Sequence, residues 1–476
     1  MGILLDLLRK ALAQPSYDAR MAGLGWSLST HPAGVLVEVS GYSQKMGPLL
    51  DQVLGAFLDP AAAAGGEAAL AEQFLQAKER SVRSVKNWRF TRPDTVASHY
   101  ARRAVQERVG AGDNAEGLAA AESATLEGVM ALHRQILQGG VAPTLLALGN
   151  VSQGQARRLW GSAREALDQA GAAPLPDEDY PRSRWGVLEP GTFLNVRARV
   201  KSEEEENSAL LAYWQVGERE ERTNAVLILL SDMMREPCFT ELRTKQQIGY
   251  IVASGVHSYG RGAGLAGFAI RVLSKAMGPD EICGRVDAFV EAFRARVEAM
   301  PQEDLDTHKR ALIRKQLEPP KTLATEFSHV YYEVDSGKLR WARFAENSER
   351  IGAVSKQDLL DMLDTVFINP ATRKRVNSLV YGNKHPMPDK AESSAAPSPP
   401  GAGDAAQGEG ATAAAAGRVV ELTPEGLQAF REGLPMLDTT TTPGQVAVTA
   451  RAQAEEAAAA AAARATAASG PSAAQE

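Results

Sequence analysis

A repeat of long period constrains this chain more than any other feature. Met46-Gly47-Pro48 returns as Met277-Gly278-Pro279 after 231 residues, and Leu24-Gly25-Trp26 returns as Ile248-Gly249-Tyr250 after 224. Leu148-Gly149-Asn150 returns as Tyr381-Gly382-Asn383 after 233. The flanks repeat too. A strand-like run (VLVEVSGY, then FAIRVLS) precedes each Met-Gly-Pro, and a helical pattern (LLDQVLGAFL, then EICGRVDAFVEAF) follows it. Landmarks held at nearly one offset imply two copies of one domain, which 476 residues can accommodate.

The second copy opens with the alternating strand ALLAYWQVG and a long helix from about Asn224 to Gln247. Strands YIVASGV and GFAIRVLS follow across a Gly-rich turn. Helices are expected at about Pro279–Ala299 and Pro301–Leu317, with more helix between Thr322 and Ile351, and KQDLLDMLDTVF leads into the closing strand RVNSLVYGN. Strands followed by a block of helices predict an α+β fold, a mainly antiparallel sheet with helices packed on one face. The first copy begins with a helix at about Gly2 and has no counterpart of Ala209–Val216. Its sheet should therefore lack a strand, leaving backbone and an apolar face unpaired. Another chain, or an earlier part of a longer polypeptide, would supply it.

These readings divide the chain into an N-terminally incomplete first domain at 1–165 and a second at 190–385, joined by the Pro-rich AGAAPLPDEDYPRSRWG. Residues 386–417 are dominated by Ala, Ser, Pro and Gly, a composition expected to be disordered. Apolar periodicity returns at 418–438, expected to dock back on the body as a helical segment. Residues 439–476 end in AEEAAAAAAARATAASG, which has helix propensity but no apolar face, so a frayed, disordered tail is expected.

Several function classes drop out. A net charge of −6 gives no electrostatic reason to expect nucleic acid. Cys238 and Cys283 alone cannot build a disulfide scaffold and fit a reducing compartment, with the cytoplasm as default. No apolar run approaches the roughly 18 residues that span a bilayer. MGILLDLLRKALAQ is interrupted by Asp6, Arg9 and Lys10, so it reads as a packed amphipathic helix and not as a secretory signal.

The search for catalytic groups is equally restrictive. The seven histidines are scattered, and neither H-E-x-x-H nor H-x-x-E-H occurs, so this chain is expected to bind no metal. His329 and Glu333 stand one helical turn apart, for which a surface pair is the plainer reading. Cys238 reads as a buried, inert thiol, and Ser231-Asp232 lies inside a helix, away from any strained turn. Gly262–Gly267 spells G-x-G-x-x-G but leads into a strand, which points to a hairpin and away from a nucleotide site. Glu203–Glu206 reads as a solvated loop.

That leaves EPCFTELRTKQQIGYIVASGV, residues 236–256. Arg243 could be a surface salt-bridge partner and Tyr250 a core aromatic. Alternatively, a helix end, Gly249 and a strand start deliver a guanidinium and a phenol to one corner. Two such donors suit a peptide carbonyl or a developing oxyanion. Residue chemistry leaves both readings open.

The same stretch, through E-P-C-F, L-R-T-K and Q-x-G-Y-I-V, resembles the corresponding segment of the insulin-degrading enzyme, nardilysin and pitrilysin group, the inverzincin metallopeptidases. The resemblance runs from the first helix to AFREGLPML. It implies four homologous α+β domains in two bowl-shaped halves around a closed chamber, with the zinc held in the first domain by H-x-x-E-H and a downstream Glu. This chain would correspond to the third domain, entered partway, and the fourth, neither of which binds metal.

By that resemblance Arg243 and Tyr250 face the zinc from the opposite half and contact substrate backbone and the tetrahedral intermediate. Phe239 lines an adjacent apolar pocket, and Trp26, at the Tyr250 position of the first copy, is structural. The implied partners are peptide substrates and a zinc-bearing catalytic half, without which the chain should hydrolyse nothing; homo-oligomerisation stays open. The family also binds polyanions through a basic cluster, of which only Lys321 is present after LEPP. Two rival readings are a stand-alone peptide-binding subunit that pairs with a separate zinc-bearing half, and a purely structural scaffold.

Overall fold

The computed structural model of the chain describes residues 1–107, 115–260, 264–388 and 418–468. Its ten strands are β1 (Gly25–His31), β2 (Gly34–Ser40), β3 (Arg184–Gly186), β4 (Thr192–Arg199), β5 (Ser208–Glu218), β6 (Ile251–Val256), β7 (Leu265–Ser274), β8 (Arg375–Tyr381), β9 (Arg418–Leu422) and β10 (Met436–Asp438). Six of them form one sheet in the order β6-β7-β5-β8-β4-β9. The pairings from β6 to β8 are antiparallel, and β4 lies parallel to both β8 and β9. The α+β class holds.

β5 is the centre of this sheet, and its sequence explains why. Ser208 through Gln215 are all buried, a near-continuous apolar run of the kind needed by a strand covered on both faces. The two-residue period sends Leu210, Ala212 and Trp214 to one core, where they meet Leu227, Leu230 and Met234 of the helix Glu221–Cys238. Ala209, Leu211 and Tyr213 go to the other core, against Val96, Ala97 and Tyr100 of the helix Pro93–Arg103. The copy's own helices cover one face, as the repeat suggested. The opposite face is roofed by a helix from the first copy.

The N-terminal copy has far less sheet. β1 and β2 form a hairpin paired from Gly25↔Ser40 to His31↔Gly34, and no third strand joins it among the described residues. Leu4, Leu5, Leu8 and Leu12 of the helix Gly2–Ala13 pack with Leu28, Leu49, Val53 and Phe57 in a separate core. The repeat places a closing strand at Thr144–Leu148, yet this segment has no ladder. Its neighbour Val141 makes only an isolated bridge to Pro174. The cause lies in the order of the second copy, where β8 pairs with β5 along Ala209–Trp214. Among the described residues no strand stands to Thr144–Leu148 as β5 stands to β8.

The chain's end carries more structure than its composition suggests. Beyond the insert, whose residues 389–417 lie outside the described residues, β9 extends the six-stranded sheet and β10 pairs with β3. Docking through 418–438 is thus by strands as well as by the short helix Leu427–Glu432. Pro443–Ala468 is helical, in keeping with its helix propensity. Asp177 anchors its start, accepting from Gly444 N–H at 3.0 Å and from the Thr442 hydroxyl at 2.6 Å. Residues 469–476 lie outside the described residues.

Candidate functional site

Helix Glu221–Cys238 does not simply stop. It widens into a π-helical turn over Phe239–Lys245, with Pro237 inside the preceding turn. Such a turn inserts an extra residue per repeat and re-aims the side chains that follow. Gln247 then adopts φ of 52°, a left-handed conformation that β-carbon sterics make costly for a non-glycine residue. The reversal is secured underneath by Leu242 and Ile248, both fully buried, and by the Ile248 N–H donating to Leu242 O at 3.0 Å.

Gly249 comes next, and here the glycine is required by space. A β-carbon would lie 2.4 Å from the Leu273 carbonyl oxygen. That close approach lets the Tyr250 N–H donate to Leu273 O at 2.9 Å. Because Leu273 is also the register partner of Ile251, the chain bulges at Tyr250 and Ile251 as β6 begins.

This path brings Phe239, Arg243 and Tyr250 together. Arg243 Nε donates to the Tyr250 carbonyl oxygen at 3.0 Å. Its guanidinium carbon sits 4.9 Å from the centre of the Phe239 ring and 5.7 Å from that of Tyr250. Tyr250 is 80% exposed and Phe239 44%, so Tyr250 is no core aromatic. Arg243 is no salt-bridge residue either, since among the described residues its terminal nitrogens have no acidic partner; the nearby Lys245 takes Glu241 at 3.0 Å. Two aromatic faces and one carbonyl hold the cation while its outer N–H groups and the phenol stay available as donors. The corner can hold a carbonyl or a negatively charged oxygen.

The plainer alternatives end as packing. Glu333 is buried and accepts from Arg343 Nε and from the Arg340 N–H at 2.9 Å, while the His329 ring lies against Phe344. Burial pushes the thiols of Cys238 and Cys283 up to about 11, far from a reactive thiolate. Trp26, at the position equivalent to Tyr250, donates its indole N–H to the Ser16 hydroxyl at 2.7 Å. Lys321 pairs with Glu318 on the surface. Gly264 leads into β7, which already contains Gly267, and residues 261–263 lie outside the described residues.

One feature escaped the sequence. His31, His99 and His257, far apart in the chain, line one cleft of about 1020 Å³ together with Arg102, Trp185 and Asp335. His31 Nε2 lies 3.0 Å from Asp335 Oδ1, joining the β1–β2 turn to the helix Leu323–Ser336. Burial, then Arg271 and Arg102, hold the His257 imidazole below its ordinary pKa. No group of three or more His, Cys, Asp or Glu stands ready to hold a metal ion among the described residues. No helix among them is long and apolar enough to cross a membrane.

Comparison with known proteins matches both halves of the repeat. Residues 1–113 match the middle or third domain of peptidase M16, and residues 229–331 match the C-terminal lobe domain 4 of PqqF-like PQQ synthase. The insulin-degrading enzyme of Drosophila melanogaster is 28% identical over 380 residues, covering 79% of this chain and 37% of that protein. The chain thus spans well under half the length of this relative. Pitrilysin superposes with a TM-score of 0.72 at 22% identity, over 92% of this chain and 42% of that one. A Pseudomonas fluorescens structure described as an inactive M16 peptidase domain has a TM-score of 0.55 at 14% identity, over 81% of this chain and 89% of its own.

Proposed function

We propose that this chain, similar over most of its length to the C-terminal half of insulinase-type peptidases, is the metal-free wall of a peptide-degrading chamber. The observation that carries the reading is the exposed Phe239–Arg243–Tyr250 corner, where a guanidinium and a phenol are presented together with their donors free. In a chamber closed by a zinc-bearing half, Arg243 and Tyr250 donate to the substrate backbone and to the oxygen that gains charge as the peptide carbonyl is attacked. Phe239 offers an apolar surface to a neighbouring side chain. Zinc held by that other half would supply the attacking hydroxide, while Arg243 and Tyr250 of this chain would position the carbonyl it attacks. The edge of β2 that is unpaired among the described residues is consistent with this reading, since a strand from that half could extend the hairpin.

The test is turnover of a quenched fluorescent peptide by the chain combined with a zinc-bearing half. Arg243→Ala and Tyr250→Phe should each lower kcat/KM by about 10²-fold, the scale for losing one oxyanion donor. Thermal unfolding of Tyr250→Phe should not move, because Tyr250 is exposed. Unchanged turnover in both variants rejects the assigned roles.

A second reading, a stand-alone peptide-binding subunit, draws on the Pseudomonas fluorescens neighbour, which is similar in extent and described as inactive. The mass of the native polypeptide, read by immunoblot against residues 190–385, separates the two. A band near 51 kDa favours a separate subunit, and one near twice that mass favours a single polypeptide.

A further inference from the structure

Among the described residues β6 is the terminal strand of the six-stranded sheet, bonded to β7 on one side only. Its register fixes which groups the open side presents. His257 N–H donates to Gly267 O, and the ladder pairs Ile251 with Leu273 through Val256 with Phe268. In an antiparallel ladder alternate residues turn both backbone groups to the partner. Ile251, Ala253 and Gly255 therefore face β7, while Val252, Ser254 and Val256 turn N–H and C=O to the open edge. Among the described residues nothing bonds to those three amides.

Edge strands are ordinarily guarded by charge, proline or a cover, because an open ladder recruits other strands. At the opposite end of the same sheet β9 is guarded: it carries Arg418 and Glu421, the latter accepting from Arg197 Nε at 2.9 Å. β6 has no such device along its length. Val252-Ala253-Ser254-Gly255-Val256 contains no charged residue and no proline, and Ala253 and Val256 are exposed. Its single irregularity, the bulge at Tyr250, lies at the end where Arg243 closes on the Tyr250 carbonyl. An unguarded ladder thus runs directly out of the donor corner.

We propose that an extended peptide docks along the open edge of β6 as an added strand, so that this wall grips substrate by main-chain hydrogen bonds as well as at the corner. The inference rests on the reading of the corner as a substrate-contacting wall and names how the peptide lies there. Up to three residues of β6 offer paired donors and acceptors, and the docked strand must answer with every second residue. Recognition is consequently indifferent to sequence along the edge. It favours a segment free of proline and, at the Tyr250 end, a carbonyl or carboxylate within reach of Arg243. A folded substrate has no strand to offer; an unfolded peptide does.

The experiment uses the full chain and a fluorescein-labelled, proline-free decapeptide rich in Thr and Val, followed by anisotropy. Two further versions of the peptide carry N-methyl groups on alternate residues, one set on odd positions and one on even. Strand addition uses one set of amides and leaves the other in solvent, so one methylated peptide should bind about tenfold or more weaker than the other. On binding of the unmethylated peptide, hydrogen exchange at Val252, Ser254 and Val256 should slow by about tenfold or more, while that at Ala253 and Gly255 stays as it was. Equal binding of the two methylated peptides, with no new protection on β6, overturns the proposal; if Arg243→Ala still weakens binding, the corner survives alone. Conversely, alternation that persists with no effect of Arg243→Ala supports the edge and removes the corner. Absence of peptide binding overturns both.

Discussion

β5 has hydrogen-bonded neighbours on both sides, β7 and β8, and buries one face against its own copy's helices and the other against Pro93–Arg103. In the N-terminal copy β2 pairs only with β1, and Thr144–Leu148, at the position equivalent to β8, forms no ladder among the described residues. The two copies share landmarks, yet among the described residues one is a six-stranded α+β layer and the other a hairpin with helices. The second copy carries the strained, exposed corner, with Gln247 in left-handed space and Tyr250 exposed.

The largest effect that would sharpen this contrast comes from the two tryptophans. Trp214 is fully buried, 5.2 Å from Phe367 ring centre to ring centre, and Arg375 stacks on its indole at 4.5 Å. Trp214→Ala should cost about 3–5 kcal/mol in urea unfolding, the usual range for emptying such a site. Trp26 only flanks its core and holds one hydrogen bond to Ser16, so Trp26→Ala should cost about 1–2 kcal/mol. Equal losses would break the comparison.

A smaller effect separates the glycines that precede the two aromatic positions. At Gly249 an added β-carbon meets the Leu273 carbonyl at 2.4 Å, and backbone cannot step aside cheaply. At Gly25 it meets the Ser40 hydroxyl at 3.0 Å, which can rotate. Gly249→Ala should lower stability by about 1–3 kcal/mol and Gly25→Ala by less than about 1 kcal/mol, measured by thermal unfolding. Gly249→Ala should also displace Tyr250 and weaken peptide contact, a consequence its counterpart cannot have.

The contrast also marks what could be seen in the sequence. Periodicity and the repeat located the Glu221–Cys238 helix, the β6–β7 hairpin and β5, because each buries a face whose spacing is visible. β4 and β9 were not located, since TFLNVRAR mixes arginines into a buried strand, where Arg197 is satisfied by Asp280 and Glu421, and since β9 follows a long insert. The closing strand hid a fully buried Arg375, held by Asp287, Asn377 and the Cys283 sulfur.

At the corner, Arg243 and Tyr250 could be nominated, but their meeting depends on a π-helical turn and on Gln247 entering left-handed space. Neither has a signature in side-chain pattern. The gathering of His31, His99 and His257 is purely tertiary, and nothing in their spacing announces it.

The most direct test of the account compares peptide hydrolysis by residues 1–476 alone with hydrolysis by the same chain combined with a zinc-bearing half. The account expects no turnover from the chain alone, and in the combination a zinc-dependent turnover that Arg243→Ala reduces about 10²-fold. Hydrolysis by the chain alone, or a combined enzyme indifferent to Arg243, would contradict it.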